Sequence, residues 1–594
     1  MSRPLPPSHN NIFLQSNDKV HLTDDVKKLF YQGLSLHKKG ELDQAGNIYA
    51  EILKLNPKHF DSIQLTAAIA AQNKQWSLAL SLFLKALAIN SKSSVVFYNL
   101  GIVYQALNLL DNALINYNQA IKFNPAYAEA YSNLGNLFNE LNQLKEAVFN
   151  FDKAIELKPD YAVAYFNRGN VYKKLNLLDK ALQSYDKAIE FKPDYAEAYS
   201  NRGILLRDTM YFDEALESFD KAIELKHDYA DAYSNRGVVL NELKYFDKAL
   251  QNFDKSIELK NDSADAYWNK SLLLLTLQDF ENGWHLYEWR WKSIQKDYVR
   301  SFRQPLWQGV ESLAGKTILL YAEQGLGDTI QFYRYIALVK NLGATVLFES
   351  PKALIPLLID LDDVDQLIET GGKLPAFDYQ CPLLSLPLAF KTELHSIPSP
   401  TPYLRSLTDK LKIWKQRLGE KSKPRIGLMW CGNPSQKDDH KRSQVLADVI
   451  KYLPPNFEYV SLQKEVRDVD RLTLTNSFIK HYDELIVDFT DTAALCDLMD
   501  VVICVCTSVA HLAGALGKPT WIMLPYRSDW RWFLDRDDSP WYESVKLYRQ
   551  DEDRQWAPVL ERVARDLKEL NTSFSSLGLP ISRWRNLFHS RYEI

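Results

Sequence analysis

The chain has 594 residues, 25 % of them charged, with a formal net charge of −4, 32 Tyr and 14 Trp. That length exceeds what one hydrophobic core serves, so two or more domains are expected. The charge balance lacks the basic footprint of a nucleic-acid-binding chain, and the longest apolar runs, such as SLLLLTL at 271–277, are too short to cross a bilayer. The five cysteines (Cys381, Cys431, Cys496, Cys504 and Cys506) include no CxxC pair and are odd in number. They point to a reducing compartment and to thiols used as small buried hydrophobes. The stretch MSRPLPPSHNNIFLQSNDK has no apolar h-region. The expectation is a cytoplasmic protein with neither membrane span nor nucleic-acid partner.

After an extension over 1–25, the first half is periodic. Gly33, Gly101, Gly135, Gly169, Gly203 and Gly237 fall on one 34-residue grid, with Ala67 and Ser271 at its remaining points. A second grid holds Ala45, Ala79, Ala113, Ala147, Ala181, Ala215, Ala249 and Gly283, and a third holds Pro57, Pro125, Pro159 and Pro193. Small residues let two short amphipathic helices approach closely, and Pro marks the turn into the next unit because it cannot continue a helix. This pattern resembles the tetratricopeptide family over residues 26–294, about eight units. One unit cannot bury its apolar face alone, so an all-α solenoid with a groove is expected.

Asn99, Asn133, Asn167, Asn201, Asn235 and Asn269 recur on the same period, two residues before the Gly position. A side-chain amide both donates and accepts, so such a file suits an extended peptide backbone held in the groove. The alternative is that these residues bond neighbouring helices inside the array. The file resembles the asparagine ladder of the O-linked N-acetylglucosamine transferases, which implies acceptor binding.

The grid ends near 295, and 295–316 reads as a linker. Then TILLYAEQ (317–324) runs into GLGDTIQFYRY, and TVLFES (345–350) follows, which is the grammar of a parallel sheet covered by helices. HSIPSPTPYLR (395–405) reads as a hinge between one lobe at 317–405 and a second at 406–594. The second carries PRIGLMW, FEYVSLQ, DVVICV and TWIML as strands. Ligands of open α/β sheets bind beyond the carboxyl ends of strands, where three polar loops fall: EQGLGDTIQ (323–331), CGNPSQKDDHKRS (431–443) and CTSVAHLAGALGKP (506–519). Gly325 and Gly327 permit close backbone approach and positive φ.

Three stretches carry a second resemblance: EQGLGDTIQF, DTAALCDLMDVVICVCTSVAHLAGALGKP and LPYRSDWRWFLDRDDSPWY. Over about 317–570 the chain is similar to heptosyltransferase-like glycosyltransferases of the two-Rossmann GT-B architecture. Bacterial proteins that join tetratricopeptide repeats to such a domain are similar to the whole chain. The resemblance implies Asp328 as general base. It implies a nucleotide-sugar donor on the C-terminal lobe, touched by Thr507, Ser508 and His511, with Lys441 and Arg442 steadying its diphosphate. Gly325, Gly327, Asn433 and Gln463 complete the expected donor set. Cys506 stands where that family usually has an acid and His440 where it commonly has arginine. A thiol accepts hydroxyl hydrogen bonds poorly, so Asp491 and Asp529 are candidate replacements.

Each of these residues has a plainer reading. Asp328 caps the helix that starts beside it, and Thr507 or Ser508 caps the next. The free N–H groups at that second helix start also form an anion site. His511 packs, Lys441 and Arg442 are surface charges, and Trp430, Trp530 and Trp532 are core rather than stacking platforms. No metal-ligand spacing occurs in the sequence. The expected function is metal-independent, inverting transfer of a sugar from a nucleotide-sugar co-substrate, with no other cofactor, to a protein hydroxyl held by the repeats. The alternatives are an interaction scaffold with an inactive transferase-like domain, or a transferase acting on a cell-envelope glycan.

Overall fold

The computed structural model describes residues 24–399, 401–436 and 439–577. The expected N-terminal extension (but for its last two residues) and the tail beyond 577 lie outside them. The described chain falls into two compact units that part between Val239 and Leu240.

Sixteen α-helices, from Asp24–Lys38 to Phe280–Tyr287, form eight helical pairs. The Gly grid has a direct steric cause. A Cβ added to Gly135 would lie 2.9 Å from the ring of Phe151, on Gly169 2.7 Å from Tyr185, and on Gly203 2.9 Å from Phe219. Each glycine thus takes an aromatic ring sixteen residues downstream on the partner helix. The alanines of the second grid, Ala45 to Ala249, are wholly buried. The turn inside each pair supplies a further grid: Gly40, Lys74, Asn108, Asn142, Asn176, Met210, Lys244 and Gln278 all have φ between 57° and 83°. Eight left-handed residues at one spacing count eight units independently of the sequence grids.

Beyond the repeats lie two parallel α/β lobes. In the first, β1 (Thr317–Tyr321), β2 (Thr345–Ser350), β3 (Gln366–Glu369) and β4 (Tyr379–Pro382) take the order β3-β2-β1-β4. In the second, β5 (Arg425–Met429), β6 (Glu458–Ser461), β7 (Val501–Val505), β8 (Thr520–Leu524) and β9 (Val545–Arg549) take the order β6-β5-β7-β8-β9, again all parallel. These are the two parallel-sheet α/β lobes expected from the strand and helix pattern. Strand order reverses beside β1 in one sheet and beside β5 in the other, so the loops after both strands open at topological switch points.

One large core runs through the second compact unit. Leu275, Phe280, Trp284 and Tyr287 of the eighth helical pair share it with Trp307, Ile318 and Phe332 of the first lobe and with Trp530, Trp532 and Trp541 of the second. The proline-rich stretch is anchored rather than loose: the Pro398 carbonyl accepts from Arg334 Nη1 (3.0 Å) and Tyr403 N–H donates to the Ala515 carbonyl (3.0 Å). Among the described residues no helix is long and apolar enough to cross a membrane.

Candidate functional site

The loops after β1, β5, β6 and β7 border one cleft of about 940 Å³. Of the expected residues it gathers Gly325, Gly327, Asp328, Asn433, Arg442, Gln463, Thr507, Ser508 and His511, together with Cys506 and Asp529. Five cationic side chains (Arg442, Lys464, Arg467, Arg471 and Arg531) and three carboxylates (Asp328, Glu465 and Asp529) line it. Its electrostatic bias therefore favours an anion.

The Gly-rich loop does two jobs. Asp328 Oδ2 accepts the Gly325 N–H at 2.9 Å, closing the first turn of helix Leu326–Phe332. The capping role is thus real, and it leaves Oδ1 for Arg531 Nη2 at 2.5 Å. Burial pushes the Asp328 carboxyl above its ordinary value, although Arg531 opposes the shift. The positive φ expected of the glycines falls instead on Gln324 (φ 60°), while Gly325 is extended at φ −87°. Gly327 serves close approach: a Cβ there would come within 3.0 Å of His511 Cδ2 and 3.4 Å of Ser508 Cα. The missing side chain lets the two lobes touch beside Asp328.

In the loop after β7, Thr507 is the N-cap of helix Ser508–Ala515 but its hydroxyl caps nothing. Thr507 Oγ1 points at Met429 Sδ (3.4 Å). The expected hydroxyl cap is therefore absent, and the helix start at Thr507 and Ser508 borders the cleft without one. His511 is buried, lies 2.9 Å from the Tyr542 hydroxyl through Nδ1, and stacks on Trp532 at 5.4 Å. Burial, with Arg531 nearby, lowers its pKa to about 3, so the ring is neutral. Cys506 Sγ accepts the Trp532 indole N–H at 3.0 Å, and burial pushes its thiol up to about 11.

The loop after β5 is organised by a buried acid that the sequence reading missed. Asp439 takes hydrogen bonds from Arg442 Nε (3.0 Å), Ser443 Oγ (2.8 Å) and Arg467 Nη2. Arg442 reaches on to the Cys506 carbonyl through Nη1 (2.6 Å). Arg467 Nε and the 4 %-exposed Gln463 Oε1 are buried polar atoms without a protein partner on this wall. Lys441 does not line the cleft. It points the other way, with Nζ 3.3 Å from Glu242, and His440 is exposed outside the cleft. Adjacent residues of a short helix diverge by about 100°, which separates Lys441 from Arg442.

Arg531 is the principal residue that sequence reasoning missed. Buried beneath the cleft, it donates to Asp328, to Asp529 (Nη1 to Oδ1, 2.9 Å) and to Gln331 Oε1 (2.7 Å). Of the two replacement acids, Asp491 is committed elsewhere, accepting from Lys410, the Trp414 indole and the Val487 N–H. Asp529 lines the cleft with its side chain 41 % exposed. The tryptophans are core: Trp430 donates to buried Asp470 (2.9 Å), Trp530 packs edge-on to Trp284, and Trp532 lies beneath Cys506. Among the described residues no group of three or more His, Cys, Asp or Glu is placed to hold a metal ion.

In the repeats, Asn133 donates to the Tyr98 hydroxyl (3.0 Å) and Asn201 to Asn170 (2.8 Å). Asn235 donates to the Asp231 carbonyl (2.8 Å) and accepts from Arg207 (2.9 Å). Half of the file therefore bonds within the array. Asn99 and Asn167 are buried and Asn269 half-buried, and the Oδ1 of Asn133 has no partner.

Comparison with known proteins identifies the helical half. The TPR repeat family matches residues 104–141, 135–176 and 212–244, and further tetratricopeptide repeat families match 162–195, 230–263 and 29–59. A curated relative, Protein FlbA of Caulobacter vibrioides, is 25 % identical over 321 residues, 49 % of this chain and 53 % of that protein. The chain thus spans about half the length of the curated relative it matches. Among solved structures, YrrB, a TPR protein with an unusual peptide-binding site, is 29 % identical over 32 % of this chain and 98 % of its own, with a TM-score of 0.28. MamA is 22 % identical over 29 % of this chain and 95 % of its own, with a TM-score of 0.27. The N-terminal helical array is built of tetratricopeptide repeats.

Proposed function

We propose that the two α/β lobes transfer a sugar from a nucleotide-sugar to a hydroxyl group, and that the repeats hold the protein bearing it. One observation carries this reading: a carboxylate, Asp328, faces the same cleft as a helix start and two arginines braced by one buried aspartate. The acceptor hydroxyl attacks the anomeric carbon as its proton passes to Asp328. The bond from that carbon to the phosphate oxygen breaks, and the charge released on the diphosphate goes to Arg442, Arg467 and the N–H groups opening helix Ser508–Ala515. The upward shift of Asp328 supports the role, because a base works best with a pKa nearer the working pH.

The test is thermal stabilisation of the purified chain by a panel of nucleotides and nucleotide-sugars, with Ser508→Ala and Asp328→Ala in parallel. A ligand that raises the midpoint of wild type and Asp328→Ala, and raises Ser508→Ala less, supports the reading. No shift with any nucleotide rejects it. The scaffold reading draws on one observation: both Asp328 oxygens already have donors, Gly325 and Arg531, so the base is engaged before any acceptor arrives.

A further inference from the structure

The cleft is rich in donors and poor in acceptors. Its arginines, its lysine and the N–H groups of the helix start all donate, which suits phosphate; of the acceptors, Gln463 Oε1 and Glu465 share the loop after β6 with Arg467, which leaves Cys506, Asp328 and Asp529 for the hydroxyls of a polyol beyond it. Cys506 supplies little, since its sulfur already takes the Trp532 N–H and thiols accept weakly. Asp328 is 21 % exposed, and each of its oxygens already has a donor. Asp529 differs. Its Oδ1 takes the Arg531 N–H (3.0 Å) and Nη1 (2.9 Å), while Oδ2 has only a long contact to Nη1 (3.2 Å), and the side chain is 41 % exposed.

Charge fixes which end of a ligand Asp529 can meet. Like charges repel, so a carboxylate does not share a position with a diphosphate. The anion belongs with Arg442 and Arg467, and Arg442 touches the backbone carbonyl of Cys506. Asp529 and Asp328 sit on Arg531, and the indole beneath Cys506 is Trp532 of the same segment. Cys506 therefore marks the border between a phosphate end and a hydroxyl end. We propose that Asp529 is the specificity-determining acceptor of the cleft, taking hydrogen bonds from hydroxyls of the transferred sugar while Arg531 fixes its orientation. This rests on the transferase reading and deepens it. Arg531 also holds Asp529 below its ordinary range: burial alone would raise it, and the guanidinium outweighs burial. The carboxylate thus stays ionised while Asp328 is shifted upward.

The experiment is calorimetric titration of the full chain with UDP, GDP and ADP and with their hexose conjugates, using wild type, Asp529→Asn and Asp529→Glu. The expected result is a bare diphosphate affinity unchanged within about twofold in Asp529→Asn. The matching conjugate weakens by about tenfold or more and is partly restored in Asp529→Glu, as expected for a lost charge-assisted hydrogen bond. Equal weakening of diphosphate and conjugate, or an unchanged conjugate, overturns the proposal while leaving the transferase reading intact. Absence of any nucleotide binding to wild type removes both.

Discussion

Arg290, with no solvent exposure, grips both oxygens of Glu323 at 2.8 and 2.7 Å. Arg290 follows directly on the last repeat helix, and Glu323 lies two residues past β1, at the root of the Gly-rich loop. Removing one member of a buried ion pair strands the other charge, which costs about 3–5 kcal/mol. Arg290→Met is therefore expected to lower the unfolding free energy by that order. Arg290→Met with Glu323→Leu should recover much of the loss, because the fully buried carboxylate goes with its partner and the remaining one, Glu288, is 26 % exposed and keeps the Ser385 hydroxyl. Urea titrations of the three chains decide it, and a double variant no better than the single refutes the ion-pair account.

The same junction predicts where the chain can be cut. The eighth helical pair gives Leu275, Phe280, Trp284 and Tyr287 to the core of the α/β lobes, and the Trp284 indole donates to the Thr392 carbonyl at 3.1 Å. A chain starting at 295 leaves that apolar surface bare and is expected to aggregate. A chain starting near 228, which keeps the last two helical pairs, should remain soluble and unfold cooperatively. Size-exclusion chromatography and a melting curve on both chains provide the comparison.

Within the repeats the left-handed turn residues offer a stability test. Met210 sits at φ 67°, where a side chain costs about 1–2 kcal/mol and glycine costs little sterically. Met210→Gly is expected to be neutral or stabilising by up to about 1 kcal/mol once glycine's extra unfolded-state entropy is counted. Gly169→Ala puts a Cβ 2.7 Å from the Tyr185 ring and should cost about 1–3 kcal/mol. A loss for Gly169→Ala with none for Met210→Gly in the same melting assay is the diagnostic.

How far the sequence disclosed this molecule depends on the range of each interaction. The repeats were legible because Gly33, Gly101, Gly135, Gly169 and Gly203 each answer to a ring at a fixed sixteen-residue offset. β1, β5 and β7 were legible because their apolar runs end flush against polar loops. β3, β4 and β9 were missed: QLIE is mostly solvent-facing and YQCP is four residues ending in proline, so neither shows a strand pattern. Arg531 was not legible as a partner of Asp328, since about two hundred residues separate them and only packing of the two lobes brings them together. The motif DWRW was visible, but which of its side chains enters the cleft depends on the short helix Trp530–Trp532, which buries both tryptophans.

The last prediction concerns acid stability. His511 is neutral in the folded chain, its pKa lowered from 6.5 to about 3 by burial and by the nearby Arg531, Arg334 and Arg442, with Asp529 opposing. Below about pH 6.5 the unfolded chain takes up a proton there, and the folded chain does not until about pH 3. The unfolded state therefore binds more protons across that window, so stability falls as pH falls through it. The full effect is up to about 5 kcal/mol, at about 1.36 kcal/mol per pKa unit. His511→Gln removes the titrating ring. It should be less stable than wild type near pH 7, where the contact with the Tyr542 hydroxyl and the stacking on Trp532 are weakened. The gap should narrow as pH drops from about 6.5 toward 4. Midpoints measured for both chains at half-unit pH steps give the answer, and parallel curves across that window would mean that His511 is protonated in the fold.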